Sequence, residues 1–169
     1  MASLAPILLM TFPVAMAFAA ANDLFTMKIP NKISLALVGG FLAVALLTRM
    51  PLETFGTNLA IGFAILGVTF ALFSFNLLGG GDAKLIAAGS VWIGANHIIE
   101  YLLFVAIFGG ALSLVILGYR NWFPAQKLAL PGWALRLHLP NGPIPYGIAV
   151  AAGGLAIFPA TDIFLSLVV

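Results

Sequence analysis

The chain has 169 residues, 63% of them hydrophobic and 7% charged, with seven basic residues, five acidic residues and no cysteine. Soluble domains carry about a quarter charged residues, so this composition cannot clothe a water-facing surface; it reads as an all-α, polytopic membrane helix bundle occupying 1–169 as a single domain. The lack of cysteine excludes disulfides, zinc–thiolate sites and thiol nucleophiles, two histidines are too few for the usual histidine-rich metal sites, and the scattered cations form no nucleic-acid stripe.

In chain order, apolar segments lie at about 3 to 22, 33 to 52, 57 to 78, 83 to 96, 98 to 119 and 144 to 168, which predicts about six transmembrane helices. No Lys or Arg precedes Lys28, so the first segment lacks the basic start of a secretory signal and is expected to stay in the mature protein. Asp23 ends that segment, and Pro30 and Asn31 set up the turn that starts the second at Ile33. Arg49 and Glu53 follow in the next connection, where a solvated or headgroup-level pair of little energetic worth is expected. The third segment ends at Gly79-Gly80-Gly81, with Asp82 directly after it. The fourth is short: at roughly 1.5 Å per residue it reaches ~20 Å against a ~30 Å hydrocarbon core, so it belongs in a thinned or watery part of the bundle. A break at Gly94-Ala95-Asn96-His97 separates it from the fifth segment, near whose start Glu100 is placed to snorkel or to reach Arg49. The last segment carries Asp162 after Pro159, placed to cap a broken helix or to meet water.

With that break, the connections 23 to 32, 79 to 84 and 120 to 143 share one side of the membrane. This side collects Lys28, Lys32, Lys84, Arg120, Lys127 and Arg136 and leaves only Arg49 opposite, so the positive-inside bias makes it cytoplasmic and puts both termini outside. His97 and His138 then fall on opposite faces and cannot share a site. The 120 to 143 connection mixes Trp122, Phe123 and Trp133 with single cations and repeated prolines, which reads as a segment lying along the inner leaflet, with substrate docking as the alternative. No GxxxxGK[ST] loop supports ATP-driven chemistry, and Ser34, Ser74, Ser90, Ser113 and Ser166 lie in apolar runs where hydroxyls bond to backbone or line helix contacts.

Among the five acidic residues, Asp23 and Asp82 stand apart because both fall on the cytoplasmic side, each where an apolar segment meets a polar connection. Capping alone could explain them: Gly79 to Gly81 as a helix C-cap and Asp82 as the N-cap of the next helix. Three consecutive glycines before an acid also let the backbone approach another helix or an extended peptide closely, at a cost in conformational entropy that argues for a use. Two carboxylates a few ångströms apart cannot both ionise cheaply, so they share a proton, and a pair in that state can activate water against a peptide carbonyl without a metal, a cofactor or a nucleophilic side chain.

The element Asp23-x5-Ile29-Pro30-Asn31 after the first segment, followed by Gly79-Gly80-Gly81-Asp82-Ala83-Lys84 after the third, resembles the prepilin peptidases, membrane aspartic proteases of the GxGD type. Ile144-Pro145-Tyr146-Gly147-Ile148-Ala149 resembles the family's closing span, so the likeness covers almost the whole chain. It implies an endopeptidase of the bacterial inner membrane that removes the short basic leader of type IV pilin-like precursors at the cytoplasmic face, cutting after a glycine just before the precursor's hydrophobic helix. Asp23 and Asp82 would be the catalytic pair, with Pro30, Asn31, Gly79, Gly80, Gly81 and Lys84 as supporting residues. Lys84 could lower a neighbouring carboxylate's pKa or anchor to headgroups, and anchoring is the preferred reading. The chain has neither the cysteines nor the cytoplasmic insertion of the larger bifunctional members, so it resembles the short form of tight-adherence (Flp-type) pilus systems and gives no support to methyltransferase activity. Archaeal preflagellin peptidases share both motifs; presenilin-like proteases share only GxGD.

Two other classes compete. A proton- or cation-coupled transporter would use intramembrane acids and broken helices, but expects them near the midplane and in matching halves. A non-catalytic pilus-assembly scaffold would tolerate loss of both aspartates.

Overall fold

Proline and glycine divide the apolar chain into helices, and the computed structural model, which describes residues 5–122, 130–139 and 142–168, contains no strand among them. Helix α1 (Ala5–Leu9) leads into α2 (Thr11–Thr26), which stops at Met27 in the left-handed conformation, its N–H donating to the Asp23 carbonyl at 2.8 Å. Pro30 precedes α3 (Asn31–Thr48) and Pro51 precedes α4 (Leu52–Ser74), each just outside the first turn, where the missing N–H breaks no helical hydrogen bond. After the left-handed Asn76 comes α5 (Gly80–Ile93), which ends at Gly94 with φ +74°, a conformation that favours glycine. A 3-10 turn, Ala95–His97, leads into α6 (Ile98–Trp122). The short α7 (Gly132–Leu137) precedes α8 (Gly147–Ile157), and a second 3-10 turn, Phe158–Ala160, separates α8 from α9 (Asp162–Val168).

Four helical stretches are long and apolar enough to cross a bilayer: Ile7–Thr26, Asn31–Thr48, Leu52–Ser74 and Ala95–Trp122. The protein is therefore a multi-pass membrane protein. The other two expected spans are shorter than a crossing requires. With 14 residues α5 extends about 21 Å, and the stretch 144 to 168 is not one helix, because Pro159 interrupts it and leaves α8 with 11 residues, about 17 Å. Both short helices are interior: ten of the 14 residues of α5 are buried, and α8 packs against α2, α5 and α6. The long helices shield them, with no more than 28% of any spanning window buried and apolar residues such as Leu35, Phe63, Ile99 and Leu114 turned outward.

Packing centres on Trp92 of α5, which is fully buried and touches Phe12, Phe41 and Phe158 at ring-centroid distances of 5.7, 6.1 and 6.0 Å. Its indole N–H donates to the Leu37 carbonyl at 2.8 Å, so one side chain ties α5 to α2, α3 and the turn after α8. Thr69 of α4 donates across to the Ala83 carbonyl of α5 at 3.2 Å. Ser74, Ser90, Ser113 and Ser166 bond to carbonyls one turn back in their own helices, as expected of structural hydroxyls; Ser34 is the exception, its Oγ buried with no partner.

The connections 23 to 32 and 79 to 84 meet at one end of the bundle, and the described part of 120 to 143 joins them there. Arg136 donates to the Phe25 carbonyl, Trp133 sets its ring edge-on to Phe25 at 5.7 Å, and Arg120 donates to the Leu137 and Gly142 carbonyls at 2.7 and 3.0 Å. Segment α7 is thus docked on α2, whereas Phe123 and Lys127 lie outside the described residues. The opposite end holds the Asn96–Asp162 hydrogen bond at 2.7 Å and the His97–Glu100 pair at 2.6 Å. Glu100 therefore meets His97 rather than Arg49, because one helical turn brings i and i+3 together. No ion pair joins Arg49 to Glu53 among the described residues, since Arg49 is a left-handed C-cap and Glu53 lies inside the first turn of α4. His138 stacks edge-on to Tyr119 at 4.8 Å, far from His97 as expected.

Replacing Trp92 by Ala should cost about 3 kcal/mol by leaving a cavity among three aromatic rings. Thermal unfolding in detergent checks this, with a lowered midpoint expected for Trp92→Ala and little change for the outward-facing Leu114→Ala.

Candidate active site

Asp23 occupies the last turn of α2, which runs to Thr26, four residues beyond the end that the apolar pattern gave it, and is 6% exposed. Its carboxylate oxygen Oδ2 accepts the Gly147 backbone N–H at 2.7 Å, a bond between residues 124 positions apart. That N–H belongs to the first turn of α8, whose amides have no intrahelical acceptor. The approach is tight: a Cβ on Gly147 would stand 2.9 Å from Asp23 Oδ2 and 2.8 Å from Ile29 Cδ1, so a side chain there would displace the carboxylate.

Asp82 lies in the first turn of α5 but does not cap it. The N-cap is Gly79, which makes no side-chain cap hydrogen bond, and Gly80 and Gly81 are helical rather than the C-cap of α4, which ends earlier at Ser74. The capping explanation for the glycines and Asp82 is thus overturned. A Cβ on Gly79 would lie 2.5 Å from Asp82 Oδ2, and one on Gly81 would lie 3.1 Å from Ile29 Cβ. The glycines therefore make room: one for the Asp82 carboxyl folding back over the helix start, the other for the 27–31 turn pressed against it.

A single cavity of about 520 Å³ is lined by Asp23, Ile29, Pro30, Asn31, the Gly79–Gly81 run and Asp82. It brings together every residue singled out in the sequence except Lys84. That residue is exposed and donates to Asn31 Oδ1 at 3.0 Å, clamping the start of α3 to α5 rather than projecting freely toward headgroups. Asp82 Oδ1 is buried without a hydrogen-bond partner, an arrangement that costs roughly 1–3 kcal/mol and is uncommon in folded proteins. Asp82 lies outside the four spans, and its carboxyl is pushed up to about 7, first by burial and then by the charge of Asp23. Near it, burial and the Asp82 charge raise the Tyr146 phenol. Tyr146 lies over Gly109 and its hydroxyl donates to the Val105 carbonyl at 3.3 Å.

Chemically, the cavity holds two carboxylates in different settings: Asp23 is fixed by a backbone N–H, whereas Asp82 is desolvated and inclined to keep a proton. No group of three or more His, Cys, Asp or Glu suited to a metal ion occurs among the described residues. Sequence reasoning missed Gly147 and Tyr146 as site residues; the signal available was the Pro145-Tyr146-Gly147 element at a helix start, the kind of place where free amides occur.

Compared with known proteins, the sequence profile of the type IV leader peptidase family matches residues 10–114, a stretch that includes Asp23, Asp82 and the elements around them. No curated protein and no solved structure matches the chain.

Because the folded protein holds a proton on Asp82 that the unfolded chain has released between about 3.8 and about 7, stability should fall as pH rises through that window. Infrared titration in detergent is expected to show a protonated-carboxyl band that fades near pH 7 and is missing from Asp82→Asn.

Proposed function

The chain belongs to the type IV leader peptidase family, and on that footing we propose that it removes the short basic leader from type IV, Flp-like prepilin precursors, working as an aspartic endopeptidase at the cytoplasmic face of a bacterial inner membrane. The observation that carries the reading is the shared cavity: Asp23 and Asp82 line it together, with glycine backbone on one wall and the Ile29-Pro30-Asn31 turn on the other. An extended peptide can approach such a wall closely because no side chain stands in the way. The cluster of Lys28, Lys32, Lys84, Arg120 and Arg136 around this end supports a cytoplasmic site and termini on the far side.

The roles follow from the two settings. Asp23, held by the Gly147 N–H, is the base that takes a proton from water as the water oxygen bonds to the scissile carbonyl carbon. Asp82 gives its proton to the carbonyl oxygen, producing a tetrahedral diol. In the second step the carbon–nitrogen bond breaks, the departing nitrogen receives the proton held by Asp23, and Asp82 recovers a proton from the diol hydroxyl as the new carboxyl forms. Water is added across one peptide bond, and both aspartates return to their starting states. Burial strengthens each of these interactions relative to water.

Co-expression with a short-leader pilin precursor tests this directly. Wild type should shorten the precursor on a gel, while Asp23→Asn and Asp82→Asn, present in membranes at normal levels, should lose about 10³-fold or more in rate. Equal processing by all three would return both aspartates to a structural role. With purified enzyme, kcat/KM should decline as pH rises above about 7, because Asp82 must enter the reaction protonated.

A further inference from the structure

A second cavity, of about 390 Å³, is a groove between α3 and α4 whose floor is α5. Each helix contributes residues at helical spacing from one face: 31, 34, 35 and 38 from α3, 59, 62, 63 and 66 from α4, and 84, 87, 88 and 91 from α5. Seven residues of rise make the groove about 10 Å long, or two helical turns. Its floor is small, with Ala87 and Ala88 of α5 beside Gly62 of α4, and its rims are the exposed Leu35 and Phe63. Small floors under larger rims let another helix approach closely inside a membrane, where packing rather than water exclusion drives association.

The groove does not end blindly. Asn31 lines both this groove and the aspartate cavity, and its bond to Lys84 sits at the junction. Moving along it from the aspartates, the lining changes from glycine backbone, Lys28 and carboxylates to aliphatic side chains. A molecule occupying both would be polar at one end and apolar at the other, as an extended peptide leading into an apolar helix is. We propose that this groove docks the apolar helix that follows the scissile bond of the precursor, so that its first two turns are gripped by α3, α4 and α5 while the preceding residues reach Asp23 and Asp82. This rests on the peptidase reading above. Ser34, whose Oγ is buried without a partner on this wall, is placed to bond with a polar group near the start of the docked helix.

The test uses the full chain in membranes with a short-leader pilin precursor. A photoreactive phenylalanine analogue at Leu35 or Leu66, introduced into the slow Asp82→Asn chain, should form an adduct with the precursor, whereas the same analogue at the exposed Val68, on the opposite face of α4, should not. In the otherwise wild-type chain, Ser34→Phe fills the groove without breaking a hydrogen bond and should raise KM about tenfold with kcat unchanged. Adducts with lipid alone, adducts equal at all three positions, or an unchanged KM for Ser34→Phe would each overturn the docking proposal while cleavage by the wild type continues. Failure of the wild type to cleave would instead sink the peptidase reading, and the docking proposal with it.

Discussion

The arrangement at the aspartate end depends on backbone lying closer to a carboxylate than any side chain would allow. Gly147 presents its N–H to Asp23, Gly79 leaves room for the Asp82 carboxyl, and Gly81 lets the turn at Ile29 close against α5. Each approach fixes one wall of the cavity, and together they bring the end of α2 and the starts of α5 and α8 to one place. The same closeness desolvates the acids. One oxygen of Asp23 is satisfied by an amide while one oxygen of Asp82 has no partner, so the two carboxyls sit in unequal surroundings.

A polar cavity at the edge of an apolar bundle needs helices that stop short, because every backbone group in lipid must be satisfied. The short α5 and α8 provide these ends in the interior, where neighbouring helices rather than lipid surround them. The free carbonyls left near the site by α2, α7 and the following loop are met by guanidinium groups: Arg136 on Phe25, Arg120 on Leu137 and Gly142. Trp92 serves the same end from below, bonding to the α3 backbone and holding α5 to α2, α3 and the turn after α8 through three aromatic contacts worth about 0.5–1.5 kcal/mol each beyond burial.

Much of this is legible in the sequence itself. The spacing of Asp23, Pro30-Asn31 and Gly79-Gly80-Gly81-Asp82 singled out residues that do line one cavity, and the shortness of the fourth segment announced a helix unable to cross alone. Other features were not readable because they are set by contacts between distant segments. The glycines could equally have been caps, and only the positions of Ile29 and the Asp82 carboxyl show that they make room. Gly147 carried no periodicity or charge to mark it, yet its amide holds Asp23. Lys84 looked like a headgroup anchor because its partner, Asn31, is 53 residues away. Pro159 was visible as a breaker, but apolarity alone could not say that the segment would divide into two short helices.

The peptidase reading stands on Asp23 and Asp82 lining one cavity, and the natural lack of cysteine makes this directly measurable. With Asp23→Cys and Asp82→Cys placed together in the chain, a short bifunctional thiol reagent should link the two thiols within one molecule in native membranes, protecting both from later maleimide labelling. A pair made from Asp23→Cys and Glu53→Cys, at opposite ends of the bundle, should stay unlinked. If the first pair labels as fully as the second, the two carboxylates do not share a site, and the proposed dyad is wrong.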